Sequence, residues 1–422
     1  MKKTLRQMVI AAVAASIGSM AAAADPVKVA FIDPLSGPFA TTGSNGLLMF
    51  EFAADYLVNQ KGGVLGGRDM EIVPFDNKIS PKESLIQLKV AIDQGIRFIA
   101  QGNSSGVANA LTDAINKHNS RNPDQRVLFL NYAAVDPALT NDKCNFWHFR
   151  FDANADIKMD ALTDVIKERE QIKKIYVIGQ DYSFGKAVAA AAVSNLEAKR
   201  PDIEIVGNEL HPIGKVKDFT PYARKIVSSG ADAVITGNWG SDMLGLGKAI
   251  IEAGFKGPIY TYYAAADGIT AAFGESGKGI LRLVGEGATN PNPTAMAIEV
   301  ADAFKAKNPD ANMSQTRIFN TIQMLAAAID RAGTADNVVK VAQALEGMEF
   351  DSIWGSKLMM RPQDHQLIQD VHIFTHTNEG IYQSSVPHAF EMDNSGYGLV
   401  VENTVKMASA DSPTTCKMER PN

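Results

Sequence analysis

The sequence predicts an α/β fold made of two doubly wound halves. Three observations carry this. Short β-branched runs alternate with helical stretches, the alternation restarts near the middle of the chain, and after residue 287 the texture changes to helices followed by short strands. Strands alternating with helices mark βαβ units around a parallel sheet.

The elements follow in order. Residues 27–32 read as a strand, and 43–59 as a helix with Leu47, Phe50, Ala54 and Leu57 at helical spacing. Strands at 70–75, 98–100 and 127–130 alternate with helices at 81–93 and 105–118. A break lies near 144–156. The second half repeats the scheme, with strands at 175–178, 203–206, 233–236 and 259–262 and helices at 184–198, 219–228 and 242–253. Helices at 295–307, 315–331 and 336–345 come next, then short strands around 357–360 and 367–374. Residues 390–422 are rich in Ser, Thr and Asn, the composition of a segment with little core of its own.

The N-terminus reads as an export signal. Lys2, Lys3 and Arg6 precede an apolar run over 8–17, and Ala22-Ala23-Ala24 forms an A-x-A cleavage signal before Asp25. The run is shorter than the roughly 20 residues a membrane span needs. No lipobox cysteine lies near the cut. Residues 1–24 are therefore expected to be removed and the remainder to be periplasmic and soluble. At roughly 150 residues per domain, the 422-residue chain holds two or three domains. A net charge of −6 without basic blocks disfavours nucleic acid as a partner.

The two cysteines, Cys144 and Cys416, would meet an oxidising compartment after export. An even pair there favours a disulfide joining the far C-terminus to the middle of the chain; two separately buried thiols are the alternative.

Candidate binding residues sit where strands end, the place where a doubly wound sheet receives ligands. The first strand runs into a turn-rich loop holding Phe39 and Thr42. The third runs into Gln101-Gly102-Asn103-Ser104-Ser105-Gly106, where a helix begins. Hydroxyls and free N–H groups at a helix start suit a carboxylate or phosphate, although Ser105 also reads as a simple cap. The fourth leads to Ala133 and Val135. In the second half, Tyr182, Phe184, Trp239 and Tyr263 follow strands, and aromatics there suit an apolar or flat ligand as well as packing between lobes.

Gly102-x-Ser104-x-Gly106 also matches the nucleophile elbow of α/β-hydrolases, but too few strand–helix units precede it. A secreted Ser hydrolase using Ser104 is the competing enzyme reading. An extracellular sensor domain is weakened by the lack of an apolar span after the signal. Asp152-x-Asn154-x-Asp156 starts like a calcium loop but has Ile157 at the sixth position and Thr163 at the twelfth, so it reads as helix capping. His372 and His376 fall on a strand pattern without HExxH, and no Walker A motif is present. No metal, cofactor or catalytic residue is expected.

Taken in order, several stretches resemble the branched-chain amino-acid-binding proteins, the type I periplasmic binding proteins of ABC importers. They are FIDPLSGPFATTG at 31–43, GGVLGG at 62–67, QGNSSG at 101–106, AAVDPALT at 133–140, DYSFG at 181–185 and AGFKGP at 253–258. The resemblance covers residues 27 to about 375. It implies two lobes joined by a three-segment hinge that closes on solute, with crossovers near 147–150, 284–288 and 350–354. One lobe would comprise 25–147 and 288–352, the other 148–287 and 353–389, with 390–422 a tail tethered to the hinge.

The same resemblance implies roles for single residues. Ser105, with Ser104 beside it, matches the family's carboxylate-binding serine, and Ala133 the backbone acceptor for a ligand ammonium. Val135 stands where the family has a threonine, so only its backbone N–H remains. Phe184 and Trp239 match pocket aromatics, Thr42 replaces a tryptophan, and Tyr263 stands near the family's acid, with Asp267 displaced from it. A buried ammonium without a carboxylate partner costs several kcal/mol. Two solute classes therefore stay open: a branched-chain or other apolar amino acid, and a non-amino aromatic carboxylate or amide. The expected partners are the solute and the permease subunits of an importer, with the protein a monomer. N-terminal sequencing of the exported protein should read Asp25-Pro26-Val27; a retained Met1 would remove the export reading.

Overall fold

The structure is a computed structural model and describes residues 25–265, 268–407 and 413–421. Residues 1–24, expected to be an export signal, and Asp267 lie outside the described residues. The first sheet contains β1 (Val27–Asp33), β2 (Met70–Asp76), β3 (Phe98–Gln101), β4 (Leu128–Asn131) and β5 (His148–Arg150), in the order β2-β1-β3-β4-β5, all parallel. The helices α1 (Ala40–Leu57), α2 (Pro81–Asp93) and α3 (Ser105–Arg121) connect them. Every residue of β3 and β4 is buried, as expected for strands covered on both faces by crossover helices. Ser80 caps α2 by accepting from the Glu83 N–H, with Pro81 at the first helical position.

The second lobe begins with α4 (Ala155–Lys167), capped by Asn154, which accepts from the Ile157 N–H at 2.9 Å. It continues through β6 (Lys174–Gln180), α5 (Ser183–Lys199), β7 (Glu204–His211), α6 (Thr220–Ser228), β8 (Ala233–Thr236), α7 (Gly240–Glu252), β9 (Ile259–Thr261), α8 (Ile269–Gly277) and β10 (Leu281–Gly285). The chain then returns to the first lobe with α9 (Ala295–Lys307), α10 (Arg317–Ala332) and α11 (Val338–Leu345), whose buried faces share one core with the first sheet. A small sheet follows, of β11 (Glu349–Asp351), β12 (Lys357–Met360) and β13 (Leu367–Ile368). Finally β14 (Val371–Thr377) and β15 (Gly398–Val405) complete a second sheet ordered β15-β14-β10-β9-β8-β6-β7, in which β14 and β15 run antiparallel to their neighbours.

Several expected boundaries are corrected. His148–Arg150 pairs with β4, so the first crossing follows Phe151 and does not fall at 147–150. The second begins at Glu286, after β10. The third lies at 369–370 and not at 350–354, because Trp354 is anchored in the first lobe. Its indole N–H donates to Thr316 O at 3.0 Å, and its ring meets Phe319 at 5.3 Å. Leu358, Met360 and Leu367 join the same core. Residues 390–422 are also not one tail: Gly398–Val405 is a full edge strand, while Ile381, Ala389 and Phe390 pack back on the first lobe. The alternation of β14 and β15 with these segments adds passages between lobes beyond the three crossovers. A strand hidden within a polar composition escapes a reading based on apolar periodicity.

Glutamines tie the crossings together. The Gln366 amide donates to Asp152 O at 2.7 Å, Gln369 donates to Phe151 O at 3.1 Å, and the buried Arg150 donates to the Gln366 side-chain oxygen at 2.7 Å. Cys144 and Cys416 form a disulfide. Beside it, Thr414 donates to Thr140 O at 2.8 Å and Arg420 pairs with Glu346 at 2.8 Å. No helix among the described residues is long and apolar enough to cross a membrane. Cys144→Ser with Cys416→Ser should lower unfolding free energy by about 2–4 kcal/mol, the usual effect of losing a long-loop disulfide, read from denaturant melts. An unchanged midpoint would mean that the tail is held by its polar contacts alone.

Candidate ligand-binding site

The strand ends of both lobes face one cavity of about 100 Å³. That is the size class of cavities, about 150 Å³, that admit a single benzene-sized molecule. Thr42, Ser104, Ser105, Ala133, Val135, Tyr182, Phe184, Trp239 and Tyr263 all line it.

On the first lobe the wall is the turn from β3 into α3. It is braced from beneath by Asp33 at the end of β1, whose carboxylate accepts from the Gly102 and Asn103 N–H groups at 3.1 and 2.9 Å and from the Tyr132 hydroxyl at 2.6 Å. Burial pushes the Asp33 carboxyl up to about 7, while these donors pull it down. Gly102 is required here, because a Cβ would stand 2.7 Å from the Tyr132 ring. The braced turn holds Ser104 at φ +81°, a left-handed conformation rare for a non-glycine residue. Ser105 then opens a 17-residue helix. Its Oγ accepts from the Asp136 N–H at 3.2 Å, so the hydroxyl proton remains available to an incoming acceptor. The Ser105 and Gly106 N–H groups meet no acceptor among the described residues, and the positive end of the helix dipole adds to them. This arrangement fits an anionic group.

On the second lobe the wall is aromatic. Phe184 meets Tyr262 and Tyr263 at ring separations of 5.6 and 5.8 Å. The Trp239 indole N–H donates to the Tyr182 hydroxyl at 2.9 Å, and the Tyr262 hydroxyl donates to Ala155 O at 2.8 Å, so the polar edges of the wall are satisfied within the protein.

Phe39 departs from its expected role. It does not line the cavity. It is buried in the second lobe's hydrophobic cluster, with its ring 4.3 Å from Trp239. Gly240 makes room for it: its φ is +57°, and a Cβ there would lie 2.7 Å from the Phe39 ring. Phe39 therefore clasps one lobe to the other.

The residues that sequence reasoning missed form a charge cluster at the base of the cavity. Lys158 of α4 lies 2.7 Å from Asp152 and 3.0 Å from Glu286, while Arg317 of α10 lies 3.4 Å from Asp152 and 3.6 Å from Glu286. Asp152 occupies the first crossing and Glu286 the second. All four side chains are buried. The Tyr263 hydroxyl lies 3.2 Å from both Asp152 Oδ2 and Ala133 O, and Lys158 and Arg317 stand 4.9 and 5.7 Å from its ring. Burial, reinforced by Glu286, pushes Asp152 up to about 7. Glu286 goes the other way: despite burial, Lys158, Arg317 and the Asp152 carboxyl hold it well below the usual carboxylate range. Of the four, only Asp152 carried a sequence signal, and it pointed to capping. Among the described residues lining the cavity there is no histidine beside Ser104.

Residues 26–380 match the family model described as periplasmic binding protein. The chain belongs to this family. Its members are solute-binding proteins. The chain is 31% identical to Leu/Ile/Val-binding protein homolog 4 of Brucella melitensis, over 99% of both chains. The closed conformation of the leucine-, isoleucine-, valine-, threonine- and alanine-binding protein of Brucella ovis superposes with a TM-score of 0.81, covering 94% of this chain and all of that one at 29% identity. A solute-binding protein from Rhodopseudomonas palustris in complex with benzoate shares the fold at TM-score 0.77 and 18% identity, covering 93% of this chain and 99% of that one.

The raised Asp152 pKa has a measurable consequence. A carboxyl whose folded pKa lies above its unfolded value stabilises the fold fully below about pH 4, and that contribution disappears as pH rises through about 7. Asp152→Asn mimics the protonated acid throughout. The unfolding free energy of wild type relative to Asp152→Asn should therefore fall as pH rises from about 4 to about 7, measured by urea melts at each pH. A constant difference would place the proton elsewhere.

Proposed function

We propose that this periplasmic binding protein captures a small carboxylate-bearing solute between its lobes and delivers it to the permease subunits of an ABC importer. The observation that carries this reading is the Ser105 seat. It combines a hydroxyl with a free proton, two N–H groups without acceptors and a helix dipole, all opposite an aromatic wall. The solute bridges the two lobes, stabilises their closed arrangement across the hinge and so marks the loaded form for the permease. The protein acts as a monomer in the periplasm after removal of residues 1–24, and the reaction cycle involves no catalysis.

Two kinds of relative bear on the solute. Those named for leucine, isoleucine and valine support an apolar amino acid. The aromatic wall, together with the benzoate complex of a fold relative, supports an aromatic carboxylate.

A thermal-shift screen of apolar amino acids, aromatic acids, short aliphatic acids and amides identifies the cognate solute, because binding to the folded state alone raises the melting temperature. Ser105→Ala should then weaken that solute by about ten- to a hundredfold in calorimetric titration, the effect of removing a hydrogen bond to a charged group, about 1.5–3 kcal/mol. Unchanged affinity would show that the seat lies elsewhere.

A further inference from the structure

We propose that Tyr263 occupies the place a ligand ammonium would take, and that the solute is accordingly a carboxylate with no amine on the neighbouring carbon. The inference rests on the Ser105 carboxylate seat and specifies what the solute carries beside that group.

The first observation is the Tyr263 hydroxyl. It reaches from the second lobe to Ala133 O at 3.2 Å. Ala133 lines the same cavity as Ser105, and a solute held at Ser105 meets this carbonyl in the shared wall. A tyrosine hydroxyl donates one hydrogen bond, and Ala133 O and Asp152 Oδ2 compete for it at equal distance. An ammonium bonding Ala133 O must compete with the phenol for it and leave the phenol with Asp152 Oδ2 as its acceptor.

The second observation is the state of the acids. Glu286 lines the cavity and Asp152 lies behind the lining, and each is within 4.0 Å of both Lys158 and Arg317. A ligand ammonium would be a third cation facing two carboxylates already held by two. Burial and the neighbouring Glu286 both push the Asp152 carboxyl upward, so it has less negative charge to offer a further cation than a free carboxylate. Such a cluster favours an anion and disfavours a zwitterion whose amine points toward it.

The third observation is the absence of compensation. Val135 is buried against the second lobe's core and offers no side-chain oxygen. The Tyr182 hydroxyl is engaged by Trp239, and the Tyr262 hydroxyl by Ala155 O. Around the seat the lining adds the flat surface of Phe184, Trp239 and the two tyrosine rings, and neutral polar side chains (Thr42, Asn103, Thr289, Ser314, Gln315 and Thr316) that carry no negative charge to hold an ammonium.

The test compares acids with and without the amine on the purified protein by calorimetric titration: leucine against 4-methylpentanoate, phenylalanine against 3-phenylpropanoate, with benzoate as a further anion. The amine-free member should bind at least tenfold tighter in each pair that binds. Tyr263→Phe, which keeps the ring and frees Ala133 O, should shift the ratio toward the amino acid by about tenfold; Tyr263→Glu should shift it further, and the Phe variant alone suffices if the Glu variant fails to fold. Tighter binding of an amino acid than of its counterpart by wild type, or a ratio unmoved by Tyr263→Phe, overturns the proposal. If that amino-acid affinity falls in Ser105→Ala, the carboxylate seat stands and only the exclusion of the amine fails. If none of the five probes binds, the carboxylate seat fails and this inference falls with it.

Discussion

The two lobes depend on one buried set of charges. Asp152 and Glu286 sit in separate crossings between the lobes, Lys158 belongs to the second lobe and Arg317 to the first, and each carboxylate lies within 4.0 Å of both cations. Taking such charges from water costs several kcal/mol each, and their mutual attraction offsets this only in tight geometry. Any arrangement of the lobes that separates Arg317 from Lys158 exposes a carboxylate to a poorer set of partners. The cluster thus ties both crossings to a cation from each lobe, and three of its members line the cavity.

The remaining features arrange themselves around that base. Asp33, at the end of β1, collects the N–H groups of the next loop and so presents the start of α3 to the cavity. At the opposite edge Phe39 enters the second lobe's core beside Trp239, a contact that Gly240 alone of the twenty residues would permit without displacement. One lobe thus supplies polar donors fixed by backbone geometry, and the other supplies aromatic surface whose own polar edges are satisfied internally. The division suits capture of an anion with an apolar body: the charged end meets donors that need no rearrangement, and the rest loses water against rings.

Much of this was legible in the chain. Alternating patterns located most strands and helices of both sheets, though not β5, α4, α8, β10 or β15, because strand and crossover-helix periodicities are local properties of the sequence. The turn 101–106 announced a helix start with serines, and aromatics after β6, β8 and β9 announced a wall, since ligands in this architecture meet strand ends. Where the reading failed, the cause was distance. Trp354 looked like part of a crossing until its indole was seen to bond Thr316. The strand Gly398–Val405 was missed because the polar composition of 390–422 as a whole averaged over its Leu399, Val400, Val401 and Val405. Phe39 looked like a ligand contact because its loop was right, yet its ring points into the other lobe.

The sequence by itself determined the α/β class, the two halves, the cysteine pair and the polar seat at the start of α3, all of which follow from composition, periodicity or a contiguous motif. Only the tertiary structure decided which acids and cations pair and that Tyr263 reaches Ala133 O. Asp152, Lys158, Glu286 and Arg317 are scattered over residues 152–317 on four different elements, and nothing in their neighbours marks them as partners. Electrostatic pairing depends on separation in space and on burial, and both arise only when crossings and lobes have closed on one another.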